Sequence, residues 1–227
     1  MEPTLPKPSE PIKKSAYHHG DLRTSIIDAV AQLIGKSNSL NFHLKEVANL
    51  VGTSQPAIYK HFESKKSLLV ETAIKGYELQ KRFRDHALNQ AQGTPLAKVL
   101  AVFYAYVHFS TEYPGYFLLM KNLETDEILS SKRYLAEQNR VLELVTSLIA
   151  ECIDEGLFEP MDIQLAMTVL QSSAYGLAHL YLTGQIKRIA PESHNDPHFA
   201  EQAIQQSIRS LLSSEGQKQL QNLPRSL

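Results

Sequence analysis

One stretch, residues 43–66 (HLKEVANLVGTSQPAIYKHFESKK), constrains this chain more than any other. Leu44, Val47, Ala48 and Val51 recur at i, i+3, i+4 and i+7, which predicts a short helix with one apolar stripe. Gly52 follows the last of them, where a helix end needs a residue tolerant of positive φ. Ser54 is placed to cap a second helix, and Pro56 falls in its first turn, where a missing N–H does no harm. That helix is about two turns long, because Phe62-Glu63-Ser64 opens a third. Ile58 and Phe62 share the face that can pack back onto Val47 and Val51, while Gln55, Tyr59 and Lys60 face away. Two short helices joined by a three-residue turn containing Gly have the shape of a helix-turn-helix, whose second helix enters the DNA major groove.

The flanks separate this reading from a plain helical hairpin with a solvated basic rim. Lys65 and Lys66 occupy the first turn of the next helix, behind Ser64 as its cap. Cations at a helix N-terminus oppose the macrodipole unless an anion sits there, and a phosphate satisfies both the lysines and the free N–H groups. Lys45 repeats the arrangement at the start of the first motif helix. Charge agrees with this: residues 1–85 carry 13 Lys and Arg against 9 Asp and Glu, or +4, whereas residues 86–227 carry 10 against 15, or −5. The basic part coincides with the helix-turn-helix, as attraction to DNA requires.

The runs YHHGDLRTSIIDAVAQLIG and FHLKEVANLVGTSQPAIYKHFESKKSLL resemble the DNA-binding domain of the tetracycline-repressor (TetR) family over residues 17–77. Val51-Gly52, Ser54, Tyr59, His61-Phe62, Lys65 and Leu68-Leu69 carry the resemblance by their spacing. It implies a dimeric, all-helical transcription factor with a ligand-responsive C-terminal domain. The family usually has Thr or Ser where this chain has His43, which takes a hydroxyl cap from the first motif helix. YPGYFLLMKN and SSAYGLAHLYLTG are similar to a C-terminal type found in some members with a His-Gly pair, replaced here by Tyr175-Gly176.

The rest of the chain reads as all-α, since no run alternates apolar and polar over strand length. Residues 1–16 hold four prolines and three lysines without apolar periodicity, so a flexible arm is expected, either inert or reaching along a DNA groove. His18-His19 has no third ligand at helical spacing and reads as the approach to a helix capped by Asp21 and ending near Gly35. The third motif helix continues from Ser64 to about Gln92 and joins the two domains without a flexible linker. A helix over 95–112 follows, then a junction at Pro114-Gly115 and a short helix. A longer one over about 130–155 carries Leu135, Leu142, Val145, Ile149 and Cys152 on one face. Asp162 opens a helix to about Gly184, and Asp196-Pro197 reads as cap and first residue of the last helix. The expected domains are an arm (1–16), the helix-turn-helix domain (17–77), a helical ligand-binding and dimerisation domain (78–213) and a polar tail (214–227).

In the last two helices, Leu177, Leu180 and Tyr181 with Ile204, Ile208 and Leu211 offer either an intramolecular core or a homodimer interface; the resemblance implies the latter. Aromatic and polar residues cluster centrally, and Tyr104, His108, Phe117, Met120, Gln171, Tyr175 and His179 are the candidates for contacting a small-molecule effector. Each of them is also an ordinary core residue by spacing. A single cysteine, Cys152, excludes an internal disulfide and suggests a reducing cytosol. The start is Pro-rich instead of apolar, and the longest apolar stretch, Leu96–Phe109, is too short for a bilayer, so a cytoplasmic protein is expected, with no membrane partner.

No GxSxG, HExxH, GxGxxG, P-loop or CxxC is present, and His194 and His198 flank Pro197 in a loop; no enzyme, cofactor or metal site is expected. The expectation is a ligand-responsive transcriptional regulator, most simply a repressor, binding a palindromic double-stranded DNA operator. Gln55, Lys60 and Ala57 face base edges: Gln suits adenine, Lys guanine, and a methyl meets the thymine methyl. Tyr59, His61, Lys65 and Lys45 hold phosphates, Thr53 and Ser54 add backbone or hydroxyl contacts, and Pro56 shapes the helix start. The competing readings are a helical small-molecule-binding or protein-interaction module with a structural helix-turn-helix, and a helical enzyme.

Overall fold

A computed structural model describes residues 22–91, 93–122 and 131–223, so the arm, the histidine pair, the Asp21 cap and the last four residues lie outside the described residues. The regular elements among the described residues are all helices, with one isolated antiparallel bridge between Phe158 and Leu212. They divide into two compact units: one holds residues up to 79 together with 112–138, the other 80–111 and those from 139 onward.

In the first unit, α1 (Leu22–Ser37) buries Ile26, Ile27, Ala29, Val30, Ala31 and Ile34. It runs past the expected stop at Gly35, and Asn38 takes the left-handed turn with φ 51°. Gly35 serves a different purpose, because a Cβ there would lie 3.1 Å from the Gly115 nitrogen. Gly115 is itself inside a helix: α6 (Pro114–Asn122) includes the Pro-Gly pair expected to be its junction. Pro fits a first helical position, and a Cβ on Gly115 would collide with the Ala31 carbonyl, so the two glycines let α1 and α6 touch along their backbones.

Next come α2 (Leu44–Val51), α3 (Gln55–His61) and α4 (Lys65–Gln90). Gly52 sits at φ 70°, and the Thr53 N–H reaches the Ala48 carbonyl at 2.8 Å, closing α2 with a Schellman turn. Ser64 and Ser67 exchange reciprocal N–H to Oγ bonds of 3.0 Å, a serine version of the capping box. Leu68, Ala73, Ile74 and Tyr77 of α4 are buried. The start of α7 (Lys132–Asp154) joins the same core, where Tyr134 is fully buried, donates to the Met120 carbonyl at 3.2 Å and meets Tyr77 edge-on at 5.7 Å.

In the second unit, α5 (Pro95–Glu112) is buried on all sides from Pro95 to Ser110 except at Lys98 and His108, as a central helix must be. The α7 stripe here is Val145, Leu148, Ile149 and Cys152. Leu135 is half-buried and Leu142 is 48% exposed, against expectation. At 100° per residue Leu142 lies roughly 70° from the stripe's centre, at its border. Burial first, then Glu155 and Glu151, push the Cys152 thiol up to about 12.

Asp162 caps α8 (Ile163–Leu182) by accepting from the Gln164 and Leu165 N–H groups at 2.7 and 3.1 Å. A one-turn helix, α9 (Ile186–Ile189), follows. Asp196 accepts from the His198 N–H at 2.9 Å in a turn, so α10 (Phe199–Ile208) begins two residues later than the Asp-Pro pair suggests. Leu211 falls in a 3-10 turn, Arg209–Leu211. The stretch expected as a polar tail instead forms α11 (Ser214–Asn222), capped by Ser213, with Gly216 and Leu220 buried. Ser213 binds back to the Leu157 and Gly156 carbonyls at 3.0 and 2.6 Å.

Candidate nucleic-acid interface

The motif divides its residues cleanly between a core and an outward face. Ile58 and Phe62 are buried with Leu44, Val47, Ala48 and Val51. Gln55, Pro56, Tyr59, Lys60 and His61 of α3 are exposed, as is Lys45 on α2, while Thr53 and Ala57 are half-buried. Tyr59, 53% exposed, is a large aromatic with no core to fill. The Ser54 hydroxyl is committed to the cap, accepting from the Ala57 N–H at 3.3 Å, and is exposed beside that bond. Without a hydroxyl at position 43, α2 keeps the other half of a capping box: the His43 N–H donates to Glu46 Oε2 at 2.6 Å. The α2 start is therefore ordered although His43 replaces the usual cap.

Lys65 differs from the other cations. Its ammonium donates to the Phe42 carbonyl at 2.5 Å and lies 4.1 Å from the centre of the Phe42 ring, which ties the start of α4 to the turn before α2. An ammonium has three donors, so one internal bond leaves two for an anion. Phe42 and this tether were missed in the sequence; an aromatic just before the motif was the only signal.

The effector candidates separate. Phe117 and Met120 are core residues of the first unit, Met120 beside Gly76 and Phe117 under Lys121. Tyr104, His108, Gln171, Tyr175 and His179 belong to the second. Burial holds the Tyr104 phenol well above its ordinary value, opposed by the nearby Gln205 side chain and reinforced by Glu201, and its buried hydroxyl makes no hydrogen bond of good geometry among the described residues. Tyr106 is raised the same way, with Gln171 opposing and Tyr175 adding. Glu201 is buried between His108 and His198, at 3.6 and 3.1 Å. Burial alone would raise its carboxyl, but the two imidazoles outweigh that and hold it below the ordinary range. Tyr175 and His179 stack on each other with centroids 6.5 Å apart, and both are exposed on α8. They line the outer surface of that helix.

The faces read as a dimer seam are largely satisfied within the chain: Leu177, Ile204, Ile208 and Leu211 are buried, and α8 packs on α10. Exposed along α8 are Leu165, at 58%, Tyr175 and His179, together with Gln164, Thr168, Ser172 and Gly176. Among the described residues no three His, Cys, Asp or Glu side chains are placed to hold a metal. No helix among them is long and apolar enough to cross a membrane.

A family model described as "Bacterial regulatory proteins, tetR family" matches residues 26–72, and one described as "Tetracyclin repressor-like, C-terminal domain" matches 99–206. The chain is 26% identical over 129 residues to the uncharacterized HTH-type transcriptional regulator YobS of Bacillus subtilis (strain 168), covering 56% of this chain and 62% of that one. It is 28% identical over 95 residues to the nucleoid occlusion factor SlmA of Marinomonas sp. (strain MWYL1), covering 42% and 48%. The chain thus spans less than two thirds of the length of either curated relative. The fold is similar to a TetR family transcription regulator from Marinobacter aquaeolei VT8, with TM-score 0.62, 16% identity, and 84% and 95% of the two chains covered. It is also similar to the TetR family regulator PfmR from Thermus thermophilus, with TM-score 0.60, 22% identity, and 82% and 96% covered.

Proposed function

We propose that this chain, which belongs to the tetracycline-repressor (TetR) family of DNA-binding transcriptional regulators, is a ligand-responsive repressor that binds a palindromic operator as a homodimer. The observation that carries the reading is the outward face of α3, where Gln55, Tyr59, Lys60 and His61 are exposed while Ile58 and Phe62 anchor the helix. Gln55, Ala57 and Lys60 read base edges; Lys45, Tyr59, His61 and the remaining donors of Lys65 hold phosphates and fix register. Thr53, Ser54 and Pro56 set the approach of the backbone to the duplex. A twofold partner places a second α3 about 34–36 Å away, on the next major groove.

The dimer forms through α8 and α10, with Leu165, Tyr175 and His179 as the uncovered part of that surface. The effector binds among the helices of the second unit, where Tyr104, Tyr106, Gln171 and Glu201 bring hydrogen-bonding groups into an apolar bundle. It releases DNA by favouring a state in which the two α3 helices no longer match the groove spacing.

Selection of bound duplexes from a random pool tests the reading. The expected product is a palindrome with half-sites one helical turn apart. Weak, salt-sensitive binding with no enriched sequence would replace it with a helical interaction module whose helix-turn-helix is structural.

A further inference from the structure

We propose that Glu71 is a positioning residue for the recognition helix, and that α7 acts on DNA affinity through it; this rests on the DNA-binding reading above. Glu71 lies on α4, six residues beyond Lys65, and is half-buried. Its carboxylate is shared by two arginines from other helices. Arg23 of α1 approaches at 3.0 Å, and Arg133 of α7 donates to both oxygens, at 3.2 and 3.3 Å. Arg133 also reaches toward Glu78, about two α4 turns further on, at 3.9 Å.

The consequence lies beyond Arg23. Its guanidinium carbon sits 5.0 Å from the centre of the Phe62 ring. Phe62 is buried and ends α3, and its N–H closes that helix onto the Ile58 carbonyl at 3.0 Å. A planar guanidinium held by a carboxylate on one side and a ring on the other has little freedom, so Glu71 fixes where Arg23 presses on Phe62. The linked groups therefore run from α7 through α4 and α1 to the end of α3. A single exposed ion pair would contribute little, but here one carboxylate serves two guanidiniums and one of those stacks on a core aromatic. Arg133 sits one residue before Tyr134, whose buried ring fixes this turn of α7 in the same core.

Electrostatics alone makes the opposite prediction to positioning, which is what makes Glu71 testable. Replacing an anionic residue in a domain that binds a polyanion should strengthen binding to every duplex alike. Positioning predicts a loss confined to the right sequence. The experiment compares affinities of the full chain, Glu71→Gln, Arg133→Ala and the double variant for the selected operator and for a scrambled duplex, at one salt concentration. Thermal unfolding by circular dichroism accompanies each variant.

Glu71→Gln is expected to lower the operator-to-scrambled ratio by about two- to fivefold, with scrambled affinity unchanged or higher. Arg133→Ala is expected to lower the ratio in the native background and to have no further effect in the Glu71→Gln background. A uniform gain on both duplexes, or additive effects of the two substitutions, would overturn the proposal. If Glu71→Gln does not fold, Arg23→Lys carries the test: it keeps the charge but loses the fork and the ring stack, and an unchanged ratio overturns the proposal. A native chain that selects no operator would overturn the DNA-binding reading itself; an operator with an unchanged ratio in Glu71→Gln overturns only the role of Glu71.

Discussion

At the scale of single residues, two lysines that look alike in sequence do different work. Lys60 is exposed on α3 with nothing of the fold depending on it, whereas Lys65 ties α4 to Phe42. Lys60→Ala is expected to relax preference at one base position by about 1–3 kcal/mol and leave Tm unchanged. Lys65→Ala is expected to weaken binding to all duplexes alike, flatten the salt dependence and also lower Tm, because the Phe42 tether is lost. Affinity across single-base operator variants, with calorimetry, checks both; an equal loss on every variant for Lys60→Ala would make it a phosphate contact. The outward face of α3 was legible because apolar spacing fixes which side of a helix is inside. The Lys65 tether was not legible, because it joins residues 23 positions apart through a carbonyl that every residue type carries.

At the scale of elements, the crossing of α1 and α6 depends on two glycines. A glycine within a helix is unfavourable by about 1 kcal/mol relative to alanine, so on propensity alone Gly115→Ala should stabilise α6. The structure reverses that sign, since the new methyl would meet the Ala31 carbonyl, which belongs to backbone and cannot rotate aside. Gly115→Ala is expected to destabilise the chain by about 1–3 kcal/mol, read from the urea midpoint. An unchanged or raised midpoint would mean that the helices separate without loss. Reading Pro114-Gly115 as punctuation located the break between α5 and α6 but misplaced the boundary. Pro is compatible with both a turn and a first helical position, and the second function of Gly115 depends on a partner far away in sequence. Likewise the polarity of residues 214–222 hid a helix that buries only Gly216 and Leu220.

At the scale of the whole molecule, the all-α architecture followed from periodicity. The apolar faces of the last long helices were legible too, but periodicity could not say which neighbour covers them. Ile204, Ile208 and Leu211 are covered by their own chain, whereas Leu165 and Tyr175 are exposed on the face proposed above to meet a second copy. Leu165→Glu is therefore expected to shift sedimentation from dimer to monomer and weaken operator binding while the fold persists. A dimer that survives this change would place the interface elsewhere. The first unit is also assembled from separate parts of the chain. α1 packs on α2 and α3 and also on α6, from which Tyr116 bonds Asp28 across 88 positions at 2.5 Å. Sequence periodicity says nothing of such pairings. They set an order of events during synthesis: a ribosome that has finished the recognition helix has made α2 and α3 but not α6, the third element on which α1 rests. The face of α1 that carries Asp28, Ala31 and Gly35 gains its cover only when α6 has emerged.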